Sequence, residues 1–187
     1  PKGIVKNDFK KKLEVPKSSV FVAYTGEIPY TLEDIVLMEY VESILNIVYT
    51  ETIREKEGGS YGVDVNGSLQ KWPKQKFGLQ IYFDTDPAKK DKLTAIVYDE
   101  VKKLMSDGPS DVNVNKAKEF MLKKHQEDLT ENSYWSGIIY DKTILGIDDH
   151  TTIENVISSV TPSMVREFAK KIFSQGNMVE ISMGPEK

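Results

Sequence analysis

The sequence predicts an α+β fold in which helices cover one face of a mainly antiparallel sheet. Residues 61–71 and 77–83 alternate apolar and polar side chains as half-buried strands do, and the turn between them makes a hairpin. A long stretch with helical spacing precedes this hairpin, and four helical stretches follow it before a final strand. The predicted order of elements is therefore β-α-β-β-α-α-α-α-β, in a single domain over residues 1–187.

Composition agrees with a globular domain that buries a sizeable core. The 187 residues are 39% hydrophobic and 29% charged, which is typical of folded rather than disordered chains. The net charge of −4 is spread along the chain, whereas a nucleic-acid-binding surface would need a clustered basic face. We expect no membrane span, since no apolar run approaches about 18 residues, and no signal-peptide pattern appears. The lack of cysteine excludes disulfides and thiolate metal sites.

The first third of the chain predicts a lead-in, a strand and a long helix. Residues 1–17 are polar and rich in lysine, which favours a solvated lead-in or linker. Residues 19–25 form a strand candidate. Thr31, three residues before an acidic side chain, is a capping signal for a helix over residues 32–57. The helical stripe consists of Leu37, Val41, Ile44 and Val48, widened by Tyr40 and Ile47.

The hairpin begins at Tyr61 and extends to about Lys71. Asn66-Gly67 could itself make a tight turn, but we interpret it as a bulge and place the turn at residues 72–74. The return strand buries the face made by Phe77, Leu79, Ile81 and Phe83.

Capping residues divide the second half into helices. Asp86-Pro87 predicts the start of one helix, Ser110 or Asp111 the next, and Thr161-Pro162 the last. A further helix follows Asn132-Ser133 and carries Tyr134, Trp135, Ile138, Ile139 and Leu145. The stripes of the other three are Leu93, Ile96, Val97, Val101 and Leu104; Val114, Ala117, Phe120 and Met121; and Val165, Phe168, Ala169 and Ile172.

The join between the long helix and the hairpin holds the candidate functional pair. Gly58-Gly59 ends the helix, so Arg54 lies on its last turn and Tyr61 at the start of the strand. Because the chain doubles back here, the guanidinium and the phenol can converge on one surface. Spacing alone also fits structural roles, with Arg54 at the negative end of the helix dipole and Tyr61 as half-buried packing.

The two histidines do not form a zinc motif. His125 stands in a polar helical stretch and is predicted to be a solvated surface residue. Asp148-Asp149-His150 is predicted to be a loop, where a capping or turn role is favoured over metal binding. Nucleophile elbows, phosphate loops and cysteine nucleophiles are also missing from the sequence, so we expect no catalytic centre and no metal site within this chain.

The run Ile53-Arg54-Glu55-x-x-Gly-Gly-x-Tyr61-Gly62-Val63 resembles the second-half signature of the insulinase/pitrilysin family of zinc metallopeptidases. Weaker matches extend the resemblance over most of the chain, at Gly26-x-x-Pro29, residues 132–135 and Thr161-Pro162. Such peptidases consist of paired homologous α+β domains that close around a peptide, with the zinc motif on the first-half helix that corresponds to residues 32–57. That helix has no histidine here, so the resemblance implies a domain of the non-zinc half.

The resemblance carries a function for the pair, namely that Arg54 and Tyr61 bind the substrate backbone and Tyr61 stabilises the oxyanion. It implies a peptide or protein substrate, a zinc-binding partner half in the same chain or another subunit, and a bacterial periplasmic or cytoplasmic setting. Two alternatives remain. One is a structural or assembly domain with the same fold and no peptidase role, and the other is an independent ligand-binding α+β domain.

Overall fold

The computed structural model describes residues 2–58, 60 and 62–186 of the 187-residue chain. Within these residues, five strands form one sheet in the order β1-β5-β2-β4-β3. The strands are β1 Ile4–Lys11, β2 Ser18–Glu27, β3 Val63–Gln70, β4 Lys76–Thr85 and β5 Met178–Pro185. β1 runs parallel to β5, and the other neighbouring pairs are antiparallel. The predicted fold class is confirmed.

Helices fill the connections between these strands. The α-helices are α1 Leu32–Tyr49, α2 Lys90–Ser106, α3 Asp111–Asp128, α4 Asn132–Tyr140, α5 Ile153–Ser159 and α6 Pro162–Phe173. Two π-helical segments, Thr50–Lys56 and Asp141–Leu145, continue α1 and α4. The structure thus adds β1 and α5 to the predicted order. α5 escaped prediction because it has only seven residues and its N-cap, Thr152, makes no side-chain capping bond. Of the helices described, none is long and apolar enough to cross a membrane.

The core lies between the helices and one face of the sheet. Alternate residues of β2 and β4 on that face are buried, and their neighbours on the opposite face are half-buried or exposed. α1 is the most buried helix, and its two tyrosine hydroxyls donate to backbone carbonyls of other helices, Tyr40 to Ile157 (2.8 Å) and Tyr49 to Val97 (3.0 Å). The largest fully buried side chains include Tyr40, Tyr49, Phe77 and Phe83.

Residues 4–11 form an edge strand where the sequence predicts a lead-in or linker. β1 pairs with β5 from Ile4 to Lys11, and all eight of its residues are exposed. Two side chains of β1 bond to side chains of β5. Lys6 donates to Glu180 (2.7 Å), and Asp8 accepts from the Ser182 hydroxyl (2.6 Å). Because all of β1 is exposed, its composition is as polar as that of a solvated segment, and the prediction of a lead-in or linker is wrong for residues 4–11.

The predicted caps of three helices are confirmed. Thr31 Oγ1 accepts from the Asp34 amide, Ser110 Oγ from Asn113 and Thr161 Oγ1 from Met164. The start of α2 differs from the prediction. The carboxylate of Asp86 accepts from the amide of Ala88 (2.8 Å) and makes a turn, and the α-helix begins only at Lys90.

The inward face of α3 is rotated from its predicted position. Val114, Ala117 and Met121 are buried as expected, but Phe120 is 61% exposed. His125, predicted to be solvated, is only 6% exposed. One residue corresponds to about 100° around a helix, so Phe120 points away from Met121 whereas His125, four residues on, follows it. The buried face is therefore the 114-117-121-125 row.

α1 packs closely against β3 at Gly67. A Cβ built on Gly67 would lie 2.8 Å from both Cγ and Sδ of Met38, which is itself buried. Side chains of α1 also bond to β3 backbone groups, with Asn46 bonding Val65 twice (3.0 and 3.2 Å) and Glu42 accepting from the Gly67 amide (2.8 Å). The β3–β4 register runs without interruption, so the predicted bulge at Asn66-Gly67 is wrong. The glycine serves the close approach of the helix.

We predict that Gly67→Ala lowers the free energy of unfolding by about 1–3 kcal/mol, because the added methyl group forces Met38 out of its buried position. Gly78→Ala is the matched control on the adjacent strand, where a Cβ would meet only the Ser68 hydroxyl at 4.0 Å. Its effect should stay within about 0.5 kcal/mol. Urea unfolding of both variants measures the difference, and equal losses would contradict the close-packing explanation.

Candidate functional site

Arg54 lies on the π-helical segment that ends the long helix. The hydroxyls of Thr50 and Thr52 bond back to the carbonyls of Asn46 (2.8 Å) and Val48 (2.7 Å), a pattern that bends helices. The Arg54 side chain is exposed. The backbone carbonyl of Arg54 accepts a hydrogen bond from the amide of Gly58 (3.2 Å). Gly58 then has a positive φ of 53°, the left-handed conformation that ends a helix.

Tyr61, the other candidate residue, lies outside the described residues, as does Gly59. The convergence of Arg54 and Tyr61 therefore stays a prediction. Their neighbours Gly58, Ser60 and Gly62 are described and define where the connecting loop starts and ends.

The loop is attached at both ends to the connection between β4 and α2. Ser60 Oγ lies 2.7 Å from the carbonyl oxygens of both Gly62 and Asp84, the latter near the end of β4. On the helix side, Lys89 Nζ donates to the carbonyls of Glu57 (3.1 Å) and Gly58 (3.3 Å). Residues 84–89 thus act as a platform for the loop.

An open cleft of about 710 Å³ lies beside this loop. Four of its nine lining residues are lysines or aspartates, and the cleft is open to solvent rather than a closed pocket. It is lined by Val15, Pro16, Lys17, Gly58, Ser60, Asp84, Thr85, Asp86 and Lys89.

Asp84 is the most connected side chain of this cleft. Its carboxylate accepts hydrogen bonds from Lys17 Nζ (2.7 Å), Ser19 Oγ (2.5 Å) and the Tyr82 hydroxyl (2.8 Å). Partial burial favours the neutral acid, but these three donors together outweigh it and hold the pKa of Asp84 below its usual value of 3.8. Asp84 therefore stays ionised and fixes the start of β2 to the end of β4.

Asp84 and Lys89 are not among the site residues that the sequence predicts. Asp84 carried no signal, because its partners are brought together only by strand pairing. Lys89 did carry one, since Lys89, Lys90 and Lys92 stand at the start of a predicted helix, where the macrodipole disfavours cations.

The two histidines meet in an aromatic cluster between α3, α4 and the turn before α5. The ring of Trp135 lies 4.8 Å from that of His150, and the Tyr134 hydroxyl lies 3.0 Å from His150 Nδ1. His125 packs against Tyr134 at 5.6 Å, and the two imidazoles are 6.5 Å apart. Over residues 2–58, 60 and 62–186, no group of three or more histidine, aspartate or glutamate side chains could hold a metal ion.

Comparison with known families and structures places this geometry among peptidase domains. The model of the family described as "Peptidase M16 inactive domain" matches residues 3–121, more than half of the chain. Among curated proteins, none has a matching sequence.

Three solved structures illustrate the fold likeness. The periplasmic protease PqqL from Escherichia coli superposes with a TM-score of 0.82 at 16% identity, over 97% of this chain and 21% of its own. A peptidase M16 inactive domain from Pseudomonas fluorescens gives 0.75 at 17%, over 100% of this chain and 45% of its own. An inactive peptidase domain from Bordetella parapertussis gives 0.74 at 15%, over 95% of both chains. The chain thus spans about a fifth of the length of the Escherichia coli protease and just under half of the length of the Pseudomonas fluorescens protein.

We predict that Asp84→Asn flattens the loss of stability in acid. Because the folded-state pKa of Asp84 is lowered, its contribution is present above the unfolded value of about 3.9 and is lost as the pH falls through the folded pKa. Urea unfolding at pH 7, 5, 4 and 3 should therefore show a smaller decrease below pH 4 in the variant. Asp99→Asn, which removes an exposed carboxylate on α2, should follow the wild type. A wild-type pH dependence in Asp84→Asn would contradict this role.

Proposed function

This chain belongs to the peptidase M16 inactive-domain family, and we propose that it is the substrate-contacting, non-catalytic domain of an insulinase/pitrilysin-type zinc metallopeptidase. In this proposal it closes one wall of the peptide chamber and supplies Arg54 and Tyr61 to a catalytic centre on another half. The observation that carries the proposal is the Arg54–Tyr61 spacing across a loop that is anchored beside an open cleft.

Tyr61 is proposed to stabilise the oxyanion. Zinc held by the other half would supply the activated water and leave negative charge developing on the scissile carbonyl oxygen. A phenol O–H presented from the opposite wall donates a hydrogen bond to that oxygen. Its benefit is larger in the transition state than in the bound substrate, so it acts on kcat.

Arg54 is proposed to hold the substrate backbone. Its planar guanidinium presents donors in a fixed fork, which suits peptide carbonyl oxygens. The side chain is exposed and lies in the last turn of the helix, so it can reach a bound peptide without first leaving a buried site.

The proposed partner is a homologous zinc-binding half, in the same chain or in another subunit. The longer solved relatives support this, because this chain covers only part of their length. An extended peptide or protein segment between the two halves is the proposed substrate.

We predict that Tyr61→Phe lowers kcat for a quenched fluorescent peptide by about 100- to 1,000-fold in the protein that carries both halves, because one oxyanion donor is lost. Tyr140→Phe, an exposed tyrosine on α4, is the control and should leave kcat unchanged. The melting temperature and bound zinc should match the wild type in both variants. Unchanged kcat in Tyr61→Phe would instead favour the structural or assembly domain with no peptidase role.

We predict that Arg54→Lys raises KM by about tenfold with a smaller change in kcat, since the lysine keeps the charge but loses the fork that binds backbone carbonyls. Arg166→Lys, at the chain's other arginine, changes a half-buried side chain paired with Glu167 on α6 and serves as the control. Steady-state kinetics on one peptide series measures both variants. Equal KM values in the two would contradict substrate binding by Arg54.

A further inference from the structure

The first turn of α2 carries positive charge at the end of the helix that disfavours it. Lys89 is the N-cap residue, and Lys90 and Lys92 follow in the first turn. Asp91, in the same turn, lies 3.7 Å from Lys90 Nζ, but its side chain is 96% exposed and water screens the pair. A helix start of this kind needs an explanation in contacts outside the helix.

Lys90 bonds to the sheet, whereas Lys92 and Lys89 both bond to residues that follow the π-helical segment. Lys90 Nζ lies 3.2 Å from Asp8 and ties α2 to β1. Lys92 forms an ion pair with Glu57 at 2.5 Å. Lys89 differs from both, because the acceptors it finds are the backbone carbonyls of Glu57 and Gly58 rather than a carboxylate.

The first carbonyl belongs to Glu57, the C-cap of the helix that carries Arg54, and the second belongs to Gly58, the next residue. Carbonyls at a helix C-terminus have no partner within the helix and carry its negative partial charge, so an ammonium group suits them well. Lys89 therefore stands at the N-terminus of α2, where the helix dipole disfavours a cation, and its ammonium group contacts the C-terminus of the π-helical segment, where the dipole favours one. It fixes the loop where the loop leaves the helix, and Ser60 fixes it to the Asp84 carbonyl two residues later.

We infer that Lys89 is a positioning residue for Tyr61, acting through the loop of residues 57–62. This inference rests on the proposed function of Tyr61. The ammonium group of Lys89 holds the carbonyls of Glu57 and Gly58, the described residues with which the loop begins. Lys89 itself contacts neither substrate nor reacting atoms in this proposal.

The test compares Lys89→Met and Lys89→Arg in the protein that carries both halves, with Lys102→Met as the control. Lys102 lies on the same helix in an exposed pair with Asp99. We expect Lys89→Met to lower kcat by about tenfold with KM changed by less than about twofold, because misplacing a catalytic group affects the chemical step. Lys89→Arg should recover at least about half of the wild-type kcat, since it keeps the charge and the donors.

Two further measurements separate positioning from general stability. In the Tyr61→Phe background, Lys89→Met should lower kcat by less than about a further twofold, because the two residues act as one unit. The initial rate of tryptic cleavage after Arg54 and Lys56 should rise about tenfold in Lys89→Met and stay unchanged in Lys102→Met, since the loop opens locally.

Three outcomes would overturn the inference. Wild-type kcat and cleavage rate in Lys89→Met, with kcat still reduced in Tyr61→Phe, would remove the role of Lys89 and leave the proposed function standing. Additive losses in the double variant would show that Lys89 does not act through Tyr61. Unchanged kcat in Tyr61→Phe would overturn the proposed function, and faster cleavage in Lys89→Met would then identify a purely structural clamp.

Discussion

The fold depends on a helix, α1, that is held in the core by two buried phenols. The hydroxyls of Tyr40 and Tyr49 donate to carbonyls of α5 and α2, so one helix orients two others. Burial disfavours the phenolate and raises the pKa of Tyr40 to about 12, and it raises that of Tyr49 well above its usual value. Both groups therefore stay neutral donors over the whole physiological range, and the direction of α1 is fixed independently of pH.

The candidate site follows from where this helix ends. α1 continues into a π-helical segment, and the loop after it is bound to the connection between β4 and α2 at Lys89 and Asp84. The end of the buried helix and residues 84–89 thus meet at one loop. The chemistry that we propose for Tyr61 uses this arrangement, in which a side chain on a short loop gains its position from groups on other elements.

The sequence predicts most of the elements but not the loop's supports. Helical stripes and capping residues such as Thr31 and Thr161 are local signals, and they mark α1 and α6 correctly. The sequence predicts a lead-in or linker where β1 lies, because an exposed edge strand has no apolar periodicity. Asp84 is invisible in the same way, since its importance lies in partners from distant parts of the chain. Lys89 is marked only as a cation at the start of a helix, and its bonds to Glu57 and Gly58 are not visible in the sequence. The family signature at residues 53–63 was visible because it is contiguous.

The side chains of α1 that bond to β3 also determine how the sheet can associate with other chains. Unpaired backbone groups on an edge strand invite intermolecular strand pairing and aggregation. Asn46 and Glu42 occupy such groups at Val65 and Gly67, so a strand added along β3 would first have to break three hydrogen bonds. At the opposite edge, β1 presents Lys10 and Lys11, which oppose pairing through charge instead. The two edges are thus protected by different means, and the protection of β1 weakens as ionic strength rises.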